Sequence, residues 1–205
     1  MDKTAVKRTG YTASTPKHYL INAGAIYKNL NWNPTGGQDG TGQWEGVLLG
    51  ATAGGNKVII EKEYRVVEVD GVFVPAVGQK FLKGQSAKLE TNVKEITAEN
   101  VRLALNGEIT EADGTDAPQG YKIISSKPKL ENTDYIENLG IVGTMSGTDA
   151  PIIIIFDNAL CTSGLDFETK DNDEAVIPMT FEAHADEDQI EDLSLPCRIY
   201  FPNIA

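Results

Sequence analysis

The glycine-rich segment from Gly50 to Lys57 is the part of the sequence closest in residue types to a phosphate-binding loop. In such a loop a lysine directly follows the last glycine, a Ser or Thr follows the lysine, and a helix begins there. Here Asn56 is inserted before the lysine, and Val58 stands where the hydroxyl residue is needed. Residues 58–69 are rich in β-branched side chains and predict a strand instead of a helix. We therefore interpret the segment as a hairpin turn.

The sequence also gives little support for a nucleophilic active site or a metal site. Ser146 lies in Gly-Thr-Met-Ser-Gly, one position away from the spacing of a nucleophile elbow, and only His18 and His184 could serve as its base. The run Asp-Asn-Asp-Glu at 171–174 lacks the glycine and the distant glutamate of a calcium loop. With 30 Asp and Glu residues, paired carboxylates occur by chance. The sequence thus predicts no catalytic residue, no cofactor and no metal site, and we expect that the protein is not an enzyme.

The two cysteines predict neither a disulfide framework nor a metal site, because they lie far apart and form no CxxC motif. Leu195, Cys197, Ile199 and Phe201 alternate with other residues as core-facing positions of a strand would. We therefore expect Cys161 and Cys197 to be two buried thiols.

Charge is distributed unevenly along the chain. The net charge is −12 at pH 7, and the segment from Asp166 to Asp192 contains eleven carboxylates against the single Lys170. Residues 1–28, in contrast, carry five basic side chains against Asp2 alone. Such acidity argues against a protein that grips the nucleic acid backbone, but it is compatible with one that nucleic acid slides past. Opposite charge at the two ends is typical of solvated surface, or of complementary surfaces in a subunit that stacks on itself.

Length and composition predict a single folded domain. A chain of 205 residues with 40% hydrophobic side chains can bury one continuous core. We divide it into an N-terminal arm with the first strand at 1–30, a region of hairpins and loops at 31–83, and a core sandwich at 84–205. The longest strongly apolar run, at 152–156, is far too short to span a bilayer, and the first residues do not resemble a secretory signal. We expect no membrane insertion, and synthesis in the cytoplasm.

Short period-two patterns between turn signals predict a mainly β protein. Glycine, proline and asparagine at 31–42 predict a loop, and the acidic segment 108–120 predicts another. The predicted strands occupy residues 19–30, 45–51, 57–69, 84–95, 121–126, 134–145, 151–157, 164–169, 174–185 and 195–201.

One short flanking α-helix is predicted at about 97–106. Thr97 can cap it, Glu99 lies in the first turn where the helix dipole favours negative charge, and Gly107 stands just past its end. The apolar stripe of this segment is narrow, which suits a helix laid against a sheet and not a helical bundle.

The residues from Glu174 to Ala185 give the clearest strand pattern. All odd positions are apolar, whereas Glu174, Thr180 and Glu182 belong to the other face. This alternation predicts a strand with the core behind it and a polar surface in front. Pro178 lacks a backbone donor, so it favours an edge strand, where another subunit can pair.

Four segments, taken in order along the chain, resemble the major tail tube proteins of long-tailed phages that infect Gram-positive bacteria. Their order and spacing carry the resemblance, and the N-terminal part resembles the family only loosely. The inner tubes of contractile tails and the tube of type VI secretion share this architecture. The segments are GQSAKLETNVKEITAENVRLALNG at 84–107, DYIENLGIVG at 134–143, PIIIIFDNALCT at 151–162 and DEAVIPMTFEAHAD at 173–186.

The resemblance implies a structural virion protein with a β-sandwich or barrel-like tail tube fold, a flanking helix, and an extended arm or loop. It implies stacked rings of six subunits whose inner sheets join edge to edge into one barrel, while an N-terminal arm or a long loop contacts the next ring. It further implies assembly in the cytoplasm of a bacterial host, around a tape measure protein and together with tail terminator and baseplate proteins. DNA would then pass through the tube without specific binding.

Two pairs of residues are candidates for the working surfaces. We hypothesise that Glu174 and Glu182 line the channel, where fixed carboxylates repel phosphates, although an outward, solvent-facing position is an equal alternative. Trp32 and Trp44 are candidates for a loop or stacking contact between subunits. With Tyr27 they could instead form a stacking platform in a receptor- or carbohydrate-binding β-sandwich, which is the alternative function. A tube of a contractile tail, of a bacteriocin or of a secretion machine is a further alternative.

Overall fold

The computed structural model describes residues 9–166, 168–169 and 171–204. Strands dominate the described residues and the helices are short, which confirms the predicted mainly β class. The strands are β1 (Leu20–Asn33), β2 (Gln43–Leu48), β3 (Thr52–Val66), β4 (Lys80–Val93), β5 (Gly107–Glu111), β6 (Lys122–Ser126), β7 (Leu139–Met145), β8 (Ile152–Phe156), β9 (Leu160–Cys161), β10 (Ile177–Glu182) and β11 (Cys197–Tyr200). The helices are α1 (Ala98–Leu105) and α2 (Glu187–Ile190).

Two antiparallel sheets share one hydrophobic core. Sheet A has the strand order β11-β8-β7-β1-β2, and sheet B has the order β3-β4-β10-β9. Helix α1 adds Leu103 and Ala104 to the core. Burying each large apolar side chain contributes roughly 2 kcal/mol, so this core is the main source of stability. Its largest fully buried members are Ile26, Leu139 and Phe156 from sheet A and Leu89, Ile177, Met179 and Phe181 from sheet B.

Sheet A is apolar on both of its faces. On the face turned away from the shared core, Leu30, Ile153 and Ile155 form a second buried cluster. Gly140 lies beneath Leu30, and a Cβ atom at Gly140 would come within 2.3 Å of the leucine Cδ2 atom. Only glycine therefore lets the leucine pack directly on the sheet.

The two edge strands of sheet A are in contact with each other. Trp44 on β2 and Tyr200 on β11 meet with their ring centroids 4.9 Å apart and their planes at 68°. Because β2 and β11 stand at opposite ends of the strand order, this contact requires the sheet to curl towards a barrel.

Helix α1 is capped as predicted at its start and differently at its end. The Thr97 hydroxyl accepts a hydrogen bond from the Asn100 backbone N–H at 3.1 Å. The left-handed residue at the end is Asn106, with φ of 47°, whereas Gly107 already begins β5. The buried Asn100 side chain donates to two backbone carbonyls outside the helix, so it fixes α1 against the sheets.

Three local predictions are wrong. The described residues of 164–169 are not a strand, because Gly164 takes a left-handed φ of 73° that interrupts extended backbone. The predicted acidic loop 108–120 contains most of β5, which pairs with β6. The supposed hairpin turn at 50–57 includes the first residues of β3, which lies in the other sheet from β2, so the chain crosses between sheets there.

Strand β11 faces the core with the side predicted for 195–201, since Leu195 and Cys197 pack against the shared core. The prediction is wrong for Ile199 and Phe201, which are exposed because β11 is an edge strand of sheet A. On its other face Tyr200 contacts Trp44. Cys161 is buried, and burial raises the pKa of its thiol. Burial, aided by the charge of Asp157, raises the pKa of Cys197 to about 11. Both side chains are therefore thiols at neutral pH, and neither is an activated nucleophile.

Candidate assembly and channel surface

The outer face of sheet B is built from ion pairs that cross between strands. Strand alternation turns the apolar side chains of β4 and β10 to the core and leaves their polar side chains on the other face. Lys57 on β3 lies directly opposite Glu90 on β4, with 3.1 Å between the ammonium and a carboxylate oxygen. Lys88 on β4 lies opposite Glu182 on β10 at 2.8 Å. The face is thus ionic but largely charge-balanced.

Glu174 and Glu182 both contact lysines of β4 or its continuation, although only Glu182 belongs to β10. Glu174 precedes the strand, and its carboxylate lies 3.0 Å from the Nζ atom of Lys94, the residue after β4. The hydrogen bond from Lys94 lowers the pKa of Glu174. The hydrogen bond to Glu182 raises the pKa of Lys88. The two predicted residues therefore share one ionic surface, and each is held by a partner that the sequence pattern did not identify.

The lysines could have been found from the sequence, because Lys88 and Lys94 alternate with the apolar Leu89 and Val93. The strand order could not, because β4 and β10 are separated by most of the second half of the chain. Only this long-range pairing places Lys88 opposite Glu182, so the pattern of one strand does not predict the ion pair.

The edge of sheet B formed by β9 is short and covers only part of β10. Strand β9 pairs with β10 only at Phe181 and Glu182, so the first residues of β10 extend beyond it. There the Ser163 hydroxyl accepts from the Thr180 N–H at 3.2 Å and lies 3.2 Å from the Pro178 carbonyl oxygen. The predicted edge strand is wrong, because β10 lies between β4 and β9 in the sheet. Pro178 is tolerated because β9 does not extend as far as this residue, so its missing donor has no strand to pair with on that side.

The opposite edge of sheet B is long and open. Strand β3 pairs with β4 from Thr52 to Val66, and among the described residues no strand pairs with its other side. Near its start, the Asn56 side chain donates to the Ala23 carbonyl of β1 at 2.9 Å. Beyond this anchor the edge presents unpaired backbone N–H and C=O groups, which can template the strand of another chain.

Strands β3 and β4 continue past the sandwich as a hairpin with an apolar tip. All residues from 60 to 78 are exposed. At the tip Phe73 is 94% exposed, and Val77 is fully exposed. In a chain of net charge −12, such a concentration of exposed apolar side chains makes the tip a candidate contact surface.

Trp32 and Trp44 lie side by side at the β1–β2 hairpin but play different parts. They are directly paired across the strands, and their ring planes meet at 61° with centroids 5.7 Å apart. Trp44 packs against the second cluster of sheet A and against Tyr200. Trp32 is half-exposed and covers Gly42. Rings at this angle do not offer one flat surface, so the pair lacks the geometry of a stacking platform.

The residues considered for catalysis do not converge within the described part of the chain. The Ser146 hydroxyl donates to the Pro16 carbonyl and accepts from the Tyr19 N–H, and neither histidine is among its hydrogen-bond partners. The His184 ring stacks edge-on against Tyr135. No group of three or more His, Cys, Asp or Glu side chains in the described ranges is arranged to hold a metal ion.

None of the helices in the described residues has the length and apolar character that a membrane-spanning helix requires.

No protein-family model matches the chain, and no curated protein matches it. Among solved structures, a chain from the virion of a native gene transfer agent particle is similar, with 14% identity and a TM-score of 0.35, over 70% of this chain and 86% of that chain. A chain from the tail of an empty gene transfer agent particle with C6 symmetry is similar, with 14% identity and a TM-score of 0.33, over 80% of this chain and 92% of that chain. Likeness at this level assigns the chain to no family.

Proposed function

We propose that this chain is the tube-forming subunit of a phage-type tail. Copies join edge to edge in six-membered rings, the rings stack, and the outer face of sheet B lines the channel through which DNA passes. The observation that carries the proposal is the open edge of β3, which a self-sufficient domain would cover. The tail tube resemblance of the segments between 84 and 186 supports the same assignment.

The distribution of polarity in sheet B favours its use as a channel wall. A wall needs a face that stays in water while the other face holds the subunit together. Sheet B has an apolar face in the shared core and an ionic face opposite it. Glu174 and Glu182 lie on that ionic face, which supports their hypothesised place on the wall.

The two edges of sheet B favour ring closure over pairing by twofold symmetry. One edge is the long β3, and the other is the short, blunt side formed by β9 and the start of β10. Unlike edges join head to tail, and a head-to-tail contact closes into a ring when the rotation per subunit divides a full turn.

The β3–β4 hairpin is the proposed contact between stacked rings. Within the described part of the chain its apolar tip packs on no other element, since Phe73 and Val77 are almost completely exposed. A second copy above or below supplies that surface. The tape measure, tail terminator and baseplate proteins are the further partners implied by the resemblance, with assembly in the host cytoplasm and a final place in the virion tail.

Electron microscopy of the concentrated, purified protein tests the proposal, and rings or hollow tubes are expected. A Phe73→Ser/Val77→Ser variant should keep its folding stability and lose tube formation, because both side chains are exposed. Leu130→Ser/Ile190→Ser removes two exposed apolar side chains elsewhere and serves as the matched control. A protein that stays monomeric at all concentrations, with or without a scaffold protein, would contradict the proposal.

A further inference from the structure

The ionic face of sheet B contains three lysines that DNA phosphates could bind. Lys57, Lys88 and Lys94 project from it, with 68%, 35% and 43% of their side chains exposed. An exposed lysine that contacts a phosphate releases a condensed counterion, which makes such contacts favourable at moderate salt. Repeated in each subunit along a channel, unpaired lysines would hold DNA instead of letting it pass.

Each of these lysines already has a carboxylate at hydrogen-bond distance. The ammonium groups lie 3.1, 2.8 and 3.0 Å from the carboxylates of Glu90, Glu182 and Glu174. All three partners belong to the same chain, so the pairing is complete when the subunit folds and does not depend on assembly. Glu61 lies on the same face and adds negative charge near Lys88.

We infer that Glu90, Glu174 and Glu182 mask the lysines of this face, so that it has no adhesive site for DNA. A phosphate that approaches a lysine here must displace a carboxylate that is already in place and must come close to its negative charge. Exposed ion pairs of this kind add little to folding stability, so their main effect is on what binds to the face. The inference rests on the proposed function only in taking DNA as the molecule that meets this face.

The test is DNA binding by Glu90→Gln/Glu174→Gln/Glu182→Gln, measured on the dissolved protein with a short labelled duplex at about 50 mM salt. The unsubstituted protein is expected not to bind measurably. The triple variant should bind at least about tenfold more tightly, and log affinity against log salt should have a slope of about −3, as three phosphate contacts give.

A control variant separates masking from a general loss of negative charge. Glu108→Gln/Glu111→Gln/Glu187→Gln makes the same change in net charge at exposed positions outside sheet B, and Glu111 also pairs with a lysine, Lys122, at 3.5 Å. This variant should not bind. Adding Lys57→Gln, Lys88→Gln and Lys94→Gln to the first variant should abolish the binding that it acquired.

The outcomes distinguish this inference from the proposed function. Binding by the unsubstituted protein, equal binding by both triple variants, or binding by neither overturns the masking inference. Circular dichroism on the same samples confirms that the variants are folded. Electron microscopy of the unsubstituted protein separately scores tubes, so a failure to assemble counts against the proposed function alone.

Discussion

Sheet A and sheet B are both antiparallel, but their faces away from the shared core differ in polarity and burial. Sheet A has buried side chains on both faces, in the shared core and in the smaller cluster of Leu30, Ile153 and Ile155. Sheet B is buried on one face only, and its other face is a set of ion pairs between Lys57, Lys88 and their partners. Both sheets therefore stabilise the fold through the shared core, but only sheet B presents an ionic face to solvent.

The edges of the two sheets differ in the same sense. The edges of sheet A are brought together by the contact of Trp44 with Tyr200, whereas the β3 edge of sheet B is open. The edge strands of sheet A are short, with six residues in β2 and four in β11, whereas β3 presents a row of backbone donors and acceptors along fifteen residues. Assembly is therefore expected to act through sheet B and the hairpin that extends it.

The largest expected difference comes from matched substitutions on the two faces that lie away from the shared core. Ile153→Ala should cost about 3 to 4 kcal/mol of unfolding free energy, since it empties a 2% exposed position on sheet A. Ile59→Ala, on the ionic face of sheet B, should cost less than about 1 kcal/mol, because the site is only partly buried. Urea unfolding measures both, and equal costs would break the comparison.

A buried ion pair and an exposed ion pair should also differ in how much they contribute to folding stability. Lys127 lies 2.5 Å from Asp134, whose side chain is only 2% exposed. Lys127→Met leaves this buried carboxylate without its partner and should cost about 3 kcal/mol. Lys94→Met, at the exposed pair with Glu174, should change stability by less than about 0.5 kcal/mol. Thermal unfolding at neutral pH provides the measurement.

The pH dependence of the Lys127→Met variant sharpens this test. Burial is the largest single influence on Asp134 and opposes its ionisation. The hydrogen bonds from Lys127 and from the Glu131 N–H, together with the charges of Lys127 and Arg102, outweigh it, so the pKa of Asp134 is lowered. The stability that this carboxylate contributes is present above its unfolded-state pKa of about 3.9 and is lost as pH falls through the lower folded-state value. Without Lys127 the folded-state pKa rises, so the stability curves of the two proteins should converge below about pH 4. Parallel curves down to pH 3 would show that the pair contributes nothing.

The smallest expected difference concerns the two tryptophans. Trp44→Ala should cost about 2 kcal/mol because it removes the ring that joins the edges of sheet A, and Trp32→Ala should cost less than about 1 kcal/mol because Trp32 is half-exposed. Chemical unfolding followed by far-UV circular dichroism distinguishes them. A larger loss of unfolding free energy in Trp32→Ala than in Trp44→Ala would show that the contact of Trp44 with Tyr200 is not what holds the edges of sheet A together.

Local patterns in the sequence were sufficient for the elements that alternate or cap in regular ways. The polar and apolar faces of β10 and the Thr97 cap of α1 were both predicted from neighbouring residues alone. The core-facing side of β11 was predicted correctly for Leu195 and Cys197. The exposure of Ile199 and Phe201 was not predicted, because it depends on the place of β11 at the edge of sheet A, which only strand order reveals. Strand β9, with two residues, is too short to leave a pattern.

The candidate surface was also only partly predictable from local sequence patterns. The polarity of Glu182 follows from its position in β10, but its pairing with Lys88 follows from strand order, which period-two patterns do not encode. The exposed hairpin tip was predicted as the end of a strand and a loop. Its apolar side chains give no signal of exposure in the sequence, because a valine-rich run is equally typical of a buried strand.

The two irregularities in β3 limit how copies of this chain can meet. Register shifts interrupt its pairing with β4 between Thr52 and Asn56 and between Glu63 and Tyr64. Bulges of this kind bend a strand and increase its twist, so the open edge of β3 is curved and twisted along its length. Two copies of β3 laid straight against each other would therefore pair over only part of their length, and bulges of this kind are one way in which β proteins limit edge-to-edge aggregation. Only a neighbour with matching curvature can follow the whole length.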